Sequence, residues 1–190
     1  MEVYEMISFE DAGNQQTDTI GGNKSVSVTF NSMPATLAEF TALPQAALTT
    51  PFDTAAMTAA ALFVYANNKD VAVAMLNYLR GPNTMTPRDV SFLADRMSQN
   101  KNKGFLGASY FSGASPENNY APSSPYTVTA GENPYSYTNQ GHATLYIKSG
   151  GADSPRPVTL RQAKDGKWYL WEYSSLLLDV RAPESTNPWA

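Results

Sequence analysis

The chain of 190 residues has no cysteine and a single histidine, His142. Without thiols it forms no disulfide, no zinc–thiolate or iron–sulfur site, and no cysteine nucleophile. Charge is scarce as well: 16% of residues are charged, against about a quarter in ordinary globular domains. Nowhere do Lys and Arg gather into a patch that neutralises a row of phosphates, so nucleic acid is not expected as a partner. No apolar run approaches the roughly 18 residues that a bilayer span needs. The opening MEVYEMISFEDAG has no basic region followed by an apolar run. No signal peptide is therefore read there, and a cytoplasmic location is the default expectation. No cofactor-binding or metal-ligating motif is found, and neither a cofactor nor a metal is expected.

What remains is ample apolar material. Hydrophobic residues make up 42% and aromatic residues 12%, enough for a sizeable core and too much for a disordered chain. The length fits one domain. The formal net charge of −4 is concentrated at the front, where residues 1–50 hold six acids and one base, Lys24. Residues 1–24, Gly-rich around Gly21-Gly22, read as a flexible or partly ordered segment in which Val3 to Phe9 is a candidate strand. Residues 25–182 read as a single α+β domain, and residues 183–190 as an irregular tail.

The first half of that domain carries helix signals. Ser25 to Phe30 alternates polar and apolar side chains, a half-buried strand with Val26, Val28 and Phe30 inward. Thr36 with Glu39 has capping-box spacing. Thr50-Pro51-Phe52-Asp53 sets a hydroxyl, a proline and an acid where a helix N-terminus favours them, ahead of an Ala-rich run to about Ala66. Asn68 opens a second helix that Gly81 and Pro82 close. Thr86-Pro87-Arg88-Asp89 repeats the cap chemistry before a third, with Val90, Leu93 and Met97 on one face. Three main helices are expected to pack as neighbours. Residues 100 to 125 then break the pattern with Gly, Ser, Pro and Asn, a loop long enough to be functional or mobile.

The second half reads as an antiparallel meander of four to five strands packed on the helices. Tyr126 to Ala130 and His142 to Lys148 are strands, the latter with Ala143, Leu145 and Ile147 on one face. Pro157 to Ala163 and Lys167 to Tyr173 flank Asp165-Gly166, a strong hairpin signal. A two-residue turn there sets Lys164 against Lys167 and pairs Gln162 with Tyr169, Leu160 with Trp171 and Val158 with Tyr173 on the core face. Trp168, Leu170 and Arg161 then take the opposite face. Ser174 is expected to cap a last short helix through Leu176 to Val180.

Several residues invite a functional reading. Tyr110, Phe111, Tyr120, Tyr126, Tyr135 and Tyr137 fall within 28 positions among small polar residues. Rigid rings with hydroxyl groups make good contact surfaces for a protein, peptide or glycan, and equally good pins for a long loop. His142 lies near Asp153, Ser149 and Ser154 in sequence, the residue types of a hydrolytic set, although a lone imidazole on the polar face of a strand is also an ordinary surface residue. The segment from Ser149 to Ser154 is Gly-rich but joins two strands, so it lacks the strand-to-helix setting of a phosphate cradle. Glu117, Glu132, Glu172 and Asp179 have no spacing that pairs them for acid–base work. No catalytic residue is assigned.

The stretches PFDTAAMTAAALFVY, GPNTMTPRDVSFLADRM, YFSGASPENNYAPSSPYTV and IKSGGADSPRPVTLRQAKDGKWYLWEYSSLLLDVR together resemble a bacterial family of domains of unknown function, over about residues 25 to 189. The resemblance implies a domain boundary and brings no activity, cofactor or catalytic residue. DGKWYLWEY alone is similar to a phrase of cone-shaped domains of the nuclear-transport-factor-2-like type, which implies a pocket between helices and a curved sheet. The expectation is a non-enzymatic binding or interaction domain that uses the Tyr-rich surface. Its alternative is a small-molecule-binding or hydrolytic enzyme with a pocket between sheet and helices near His142.

Overall fold

Thr50 starts the helix around which the other elements are arranged. In a computed structural model that describes residues 14–99 and 104–189, the Asp53 amide donates to the Thr50 hydroxyl at 3.2 Å. The Thr50 amide in turn donates to the Asp53 carboxylate at 2.9 Å. This closed capping box, with Pro51 at the first helical position, launches α2 (Pro51–Tyr65). Fourteen of its fifteen residues are buried. A helix apolar on all sides belongs inside, and its many alanines let neighbours approach closely.

The other caps behave as their spacing predicts. Thr36 accepts from the Glu39 amide at 3.1 Å to open α1 (Leu37–Thr41). Asn68 accepts from the Val71 amide at 3.2 Å to open α3 (Lys69–Arg80), which ends at Gly81 with φ 58°. Thr86 accepts from the Asp89 amide at 3.2 Å ahead of α4 (Pro87–Gln99). The α2 and α3 helices pack together, whereas α4 rests on the 3-10 turn Ser174–Leu177. That turn stands where a helix to Val180 is expected, and no side chain caps it. The 100–125 segment contains a further short helix, α5 (Phe105–Ala108), against α2. Gly107 makes the approach possible, since a Cβ there would collide with the Leu62 carbonyl.

Six antiparallel strands form one sheet in chain order: β1 (Gln15–Ile20), β2 (Asn23–Phe30), β3 (Tyr126–Gly131), β4 (His142–Ile147), β5 (Arg156–Gln162) and β6 (Trp168–Glu172). The α+β class holds. The sheet is larger than four or five strands because β1 forms inside the N-terminal segment. Its residues are polar up to the exposed Ile20 and give no alternating signal; it is recruited by the Gly21-Gly22 turn, with φ 59° and 82°, which folds it back on β2. The candidate strand from Val3 to Phe9 lies outside the described residues.

The inner face carries Val26, Val28, Phe30, Val128, Ala130, Leu145, Ile147, Val158, Leu160 and Leu170, all buried in the core that encloses α2. The outer face pairs hydroxyl groups across strands: Ser27 with Thr129 at 2.7 Å, Thr29 with Thr127 at 2.9 Å, Thr144 with Thr159 at 3.1 Å.

The last hairpin departs from the two-residue form. The Ala163 amide donates to the Lys167 carbonyl at 2.9 Å and Gly166 sits at φ 82°. Lys164, Asp165 and Gly166 therefore make a three-residue loop. Gln162 pairs with Trp168, Arg161 with Tyr169 and Leu160 with Leu170, after which the register slips and Thr159 faces Glu172. Trp171 is left without a partner, as the extra residue of a β-bulge. Leu160 and Trp171 consequently lie on opposite faces, Leu160 buried and Trp171 exposed, and Leu170 is in the core. Tyr173 stays inward.

Candidate functional site

The Tyr-rich stretch divides in two. Tyr110 is buried and its hydroxyl donates to the Leu176 carbonyl at 2.6 Å. Burial pushes its pKa up to about 12. Phe111 meets Phe63 edge-on at 5.4 Å and Phe30 at 6.4 Å, and half-buried Tyr126 joins the same cluster. Tyr120 is buried beside Phe105 and donates to the Arg181 carbonyl. These four rings fasten the 105–126 segment to the sheet and to α2. They do not form an exposed contact surface. Tyr135 and Tyr137, on the β3–β4 connection, are 76% and 49% exposed. The pKa of Tyr137 is pushed up to about 12, by desolvation first and then by the carboxylate of Glu132.

His142 and Asp153 are not brought together. One begins β4 and the other lies beyond its end, so the rise of the strand alone separates them by roughly 16 Å. The imidazole Nδ1 is 3.1 Å from the Gln140 carbonyl oxygen, and the ring meets Trp171 edge-on at 5.7 Å. Asp153 instead accepts from Arg181 at 2.7 Å on the surface. Ser149 donates to the Ser109 hydroxyl at 3.0 Å. Among the described residues, no group of three or more His, Asp or Glu could hold a metal ion, and no helix is long and apolar enough to cross a membrane.

A cleft of about 370 Å³ opens elsewhere, between the C-terminal end of α3 and the outward side of the β5–β6 hairpin. Three cations line it: Arg80, Arg161 and Lys164. Arg80 is held in place, donating through Nε to the Asn83 carbonyl at 2.8 Å and lying 3.8 Å from the Asp89 carboxylate. The guanidinium of Arg161 lies 4.6 Å above the centre of the Trp171 ring. The Tyr169 ring supplies apolar wall. Gly81 matters here, because a Cβ at that position would run into the Tyr169 ring.

The neighbouring acids are engaged. Asp165 accepts from the Lys167 amide at 2.9 Å and the Tyr169 hydroxyl at 2.8 Å, which together hold its carboxyl below the ordinary range. Asp89 accepts from the Thr86 amide and hydroxyl at 2.8 and 2.9 Å, with the same downward effect. Glu172 accepts from the Ser174 amide at 2.6 Å. In a chain that is acidic as a whole, the lining of this hollow carries three cations and no carboxylate.

Sequence reasoning put Arg161 and Trp171 on opposite faces, so their meeting went unseen. A three-residue loop at Asp165-Gly166 is the signal that would have brought them together.

Residues 32–184 match a family described as Domain of unknown function (DUF6935). The matched span takes in all five helices, the four strands β3–β6 and every residue of the cleft named above. No curated protein and no solved structure matches the chain.

Proposed function

We propose that this chain, which belongs to the DUF6935 family of domains of unknown function, is a non-catalytic binding domain whose site is the cleft between α3 and the β5–β6 hairpin. The observation that carries the reading is the contact between Arg161 and Trp171. The hairpin register sets both on the outer face, and Trp171, unpaired at the bulge, lies beside an apolar-walled hollow with Arg161 over its ring. Bulges commonly re-aim a side chain next to a site, and the volume falls in the range that small ligands occupy. His142 beside the Gln140 carbonyl and Asp153 on Arg181 are engaged apart from each other, which supports a binding reading over a hydrolytic one.

The test is a screen of small soluble compounds by two-dimensional NMR on the labelled chain. Hits that move the Trp171 indole signal, and that are lost in Trp171→Ala, support the reading. A set of hits that leaves Trp171 unmoved overturns it.

A second reading rests on Tyr135 and Tyr137. Both rings stand exposed on the β3–β4 connection, where they suit a peptide, protein or glycan partner. Under that reading the double substitution of both tyrosines to Ala abolishes capture of the partner while the fold survives.

A further inference from the structure

We infer that the cleft selects small anions that carry a flat apolar group, with Arg161 recognising the negative charge. This rests on the binding reading above and adds to it the sign and shape of the ligand.

The charge argument begins with what is left unpaired. A cation–π contact engages the face of a guanidinium, whereas its five N–H donors lie in its plane. Among the described residues, Arg161 makes the ring contact with Trp171 and no hydrogen bond or ion pair through its side chain. Lys164, on the same rim, has no ion-pair partner among them either. Arg80 is fixed by the Asn83 carbonyl and has its nearest carboxylate at 3.8 Å, beyond hydrogen-bonding distance. Three cations thus line one hollow whose own lining includes no carboxylate, and of these Arg161 and Lys164 make no ion pair among the described residues. A cationic ligand meets repulsion there. A neutral one leaves the Arg161 donors unfilled.

The shape argument follows from Trp171. The ring is 42% exposed and is shared by this hollow and a smaller one on the side of α4. Arg161 over it and His142 edge-on to it restrict its rotation. Beside it the Tyr169 ring lines the same hollow, so an apolar wall stands next to the donors of Arg161. A planar group lying along that wall places an attached carboxylate within reach of the Arg161 donors.

The experiment titrates the whole chain with four probes and follows the Trp171 indole signal by NMR, assigned with Trp171→Phe. The probes are 2-naphthoate, its neutral counterpart 2-naphthamide, the cation 2-naphthylmethylamine, and acetate. Naphthoate is expected to move the Trp171 signal and to bind about tenfold more tightly than naphthamide, with the amine and acetate weaker still. Arg161→Gln should lower naphthoate affinity about tenfold and leave naphthamide unchanged, with an unaltered melting temperature. Lys164→Gln should act in the same direction by about threefold.

Naphthamide binding as tightly as naphthoate at Trp171 would leave the cleft standing as a site and overturn its preference for anions. Acetate binding as tightly as naphthoate would overturn the flat apolar part. Full naphthoate affinity in Arg161→Gln would overturn the role given to that residue. A Trp171 signal that no probe moves would take down the inference and the binding reading together.

Discussion

The guanidinium of Arg156 donates to the main-chain carbonyls of Leu178 and Asp179, and these, not a carboxylate, hold its charge. The residue is 9% exposed, and the Tyr110 hydroxyl lies 3.5 Å away on the inner side. Carbonyl oxygens satisfy a buried guanidinium when its donors are matched, and charge-assisted bonds are the stronger kind. The contact ties β5 to the segment after Leu177. That segment is also held by the Arg181 amide donating to the Gly151 carbonyl at 3.0 Å.

Replacing Arg156 by Met strands the two carbonyls of Leu178 and Asp179. The expected cost is about 3 kcal/mol, read as a fall in melting temperature of about 6–12 °C. Asp153→Asn, which removes the exposed ion pair with Arg181, should cost under about 0.5 kcal/mol. Calorimetry on the two variants checks the contrast, and equal effects would contradict it.

The two halves of the Tyr-rich stretch should answer differently to substitution. Tyr110→Phe removes a buried hydroxyl that donates to Leu176 and should cost about 1–1.5 kcal/mol in urea unfolding. Tyr135→Ala changes a ring that stands in solvent and should stay within about 0.5 kcal/mol.

Alkaline pH should loosen the fold through two buried phenols. Burial raises Tyr110 and Tyr173 from about 10 to about 12, so the folded chain holds these protons where the unfolded chain releases them. Their contribution is complete below pH 10 and is lost as pH rises from 10 through 12. Urea midpoints should therefore drop across that window, less steeply in the Tyr110→Phe, Tyr173→Phe double variant. Absorbance should report a late phenolate fraction that appears with unfolding.

Two glycines only a few positions apart make a further contrast. A Cβ at Gly107 would press into the carbonyl of Leu62 and the Cα of Phe63, while one at Gly104 meets nothing within 4 Å. Gly107→Ala should cost more than about 2 kcal/mol by forcing α5 off α2. Gly104→Ala should stay within about 0.5 kcal/mol. Denaturant midpoints distinguish them.

Much of the architecture could be read from local chemistry. Thr36, Thr50, Asn68 and Thr86 announce their helices because a cap is a short-range contact between a side chain and an amide three residues on. Strand β2 announces itself through Val26, Val28 and Phe30. The shortfalls share another cause. Strand β1 is polar from Gln15 to Thr19, and only its pairing with β2 makes it a strand. Asp165-Gly166 serves a two-residue turn and a three-residue loop equally well, since Gly166 supplies the positive φ that either form uses. One residue of slip exchanges the faces, so Trp171 was read as core and the cleft beside it was invisible. Tyr110 and Tyr120 carry no mark in sequence that separates a pin from a platform; their hydrogen bonds to the carbonyls of Leu176 and Arg181 do.

The burial of α2 has a consequence for how the chain comes to be made. Its cover includes β6, whose Trp168 carbonyl accepts from the Thr54 hydroxyl, and β6 follows the end of α2 by about a hundred residues. At roughly 5–20 residues per second of synthesis, the oiliest helix waits about 5–20 seconds for its last wall. The nascent protein spends that interval with an Ala-rich rod it has no means to shelter, which is when a holding chaperone has most to offer it.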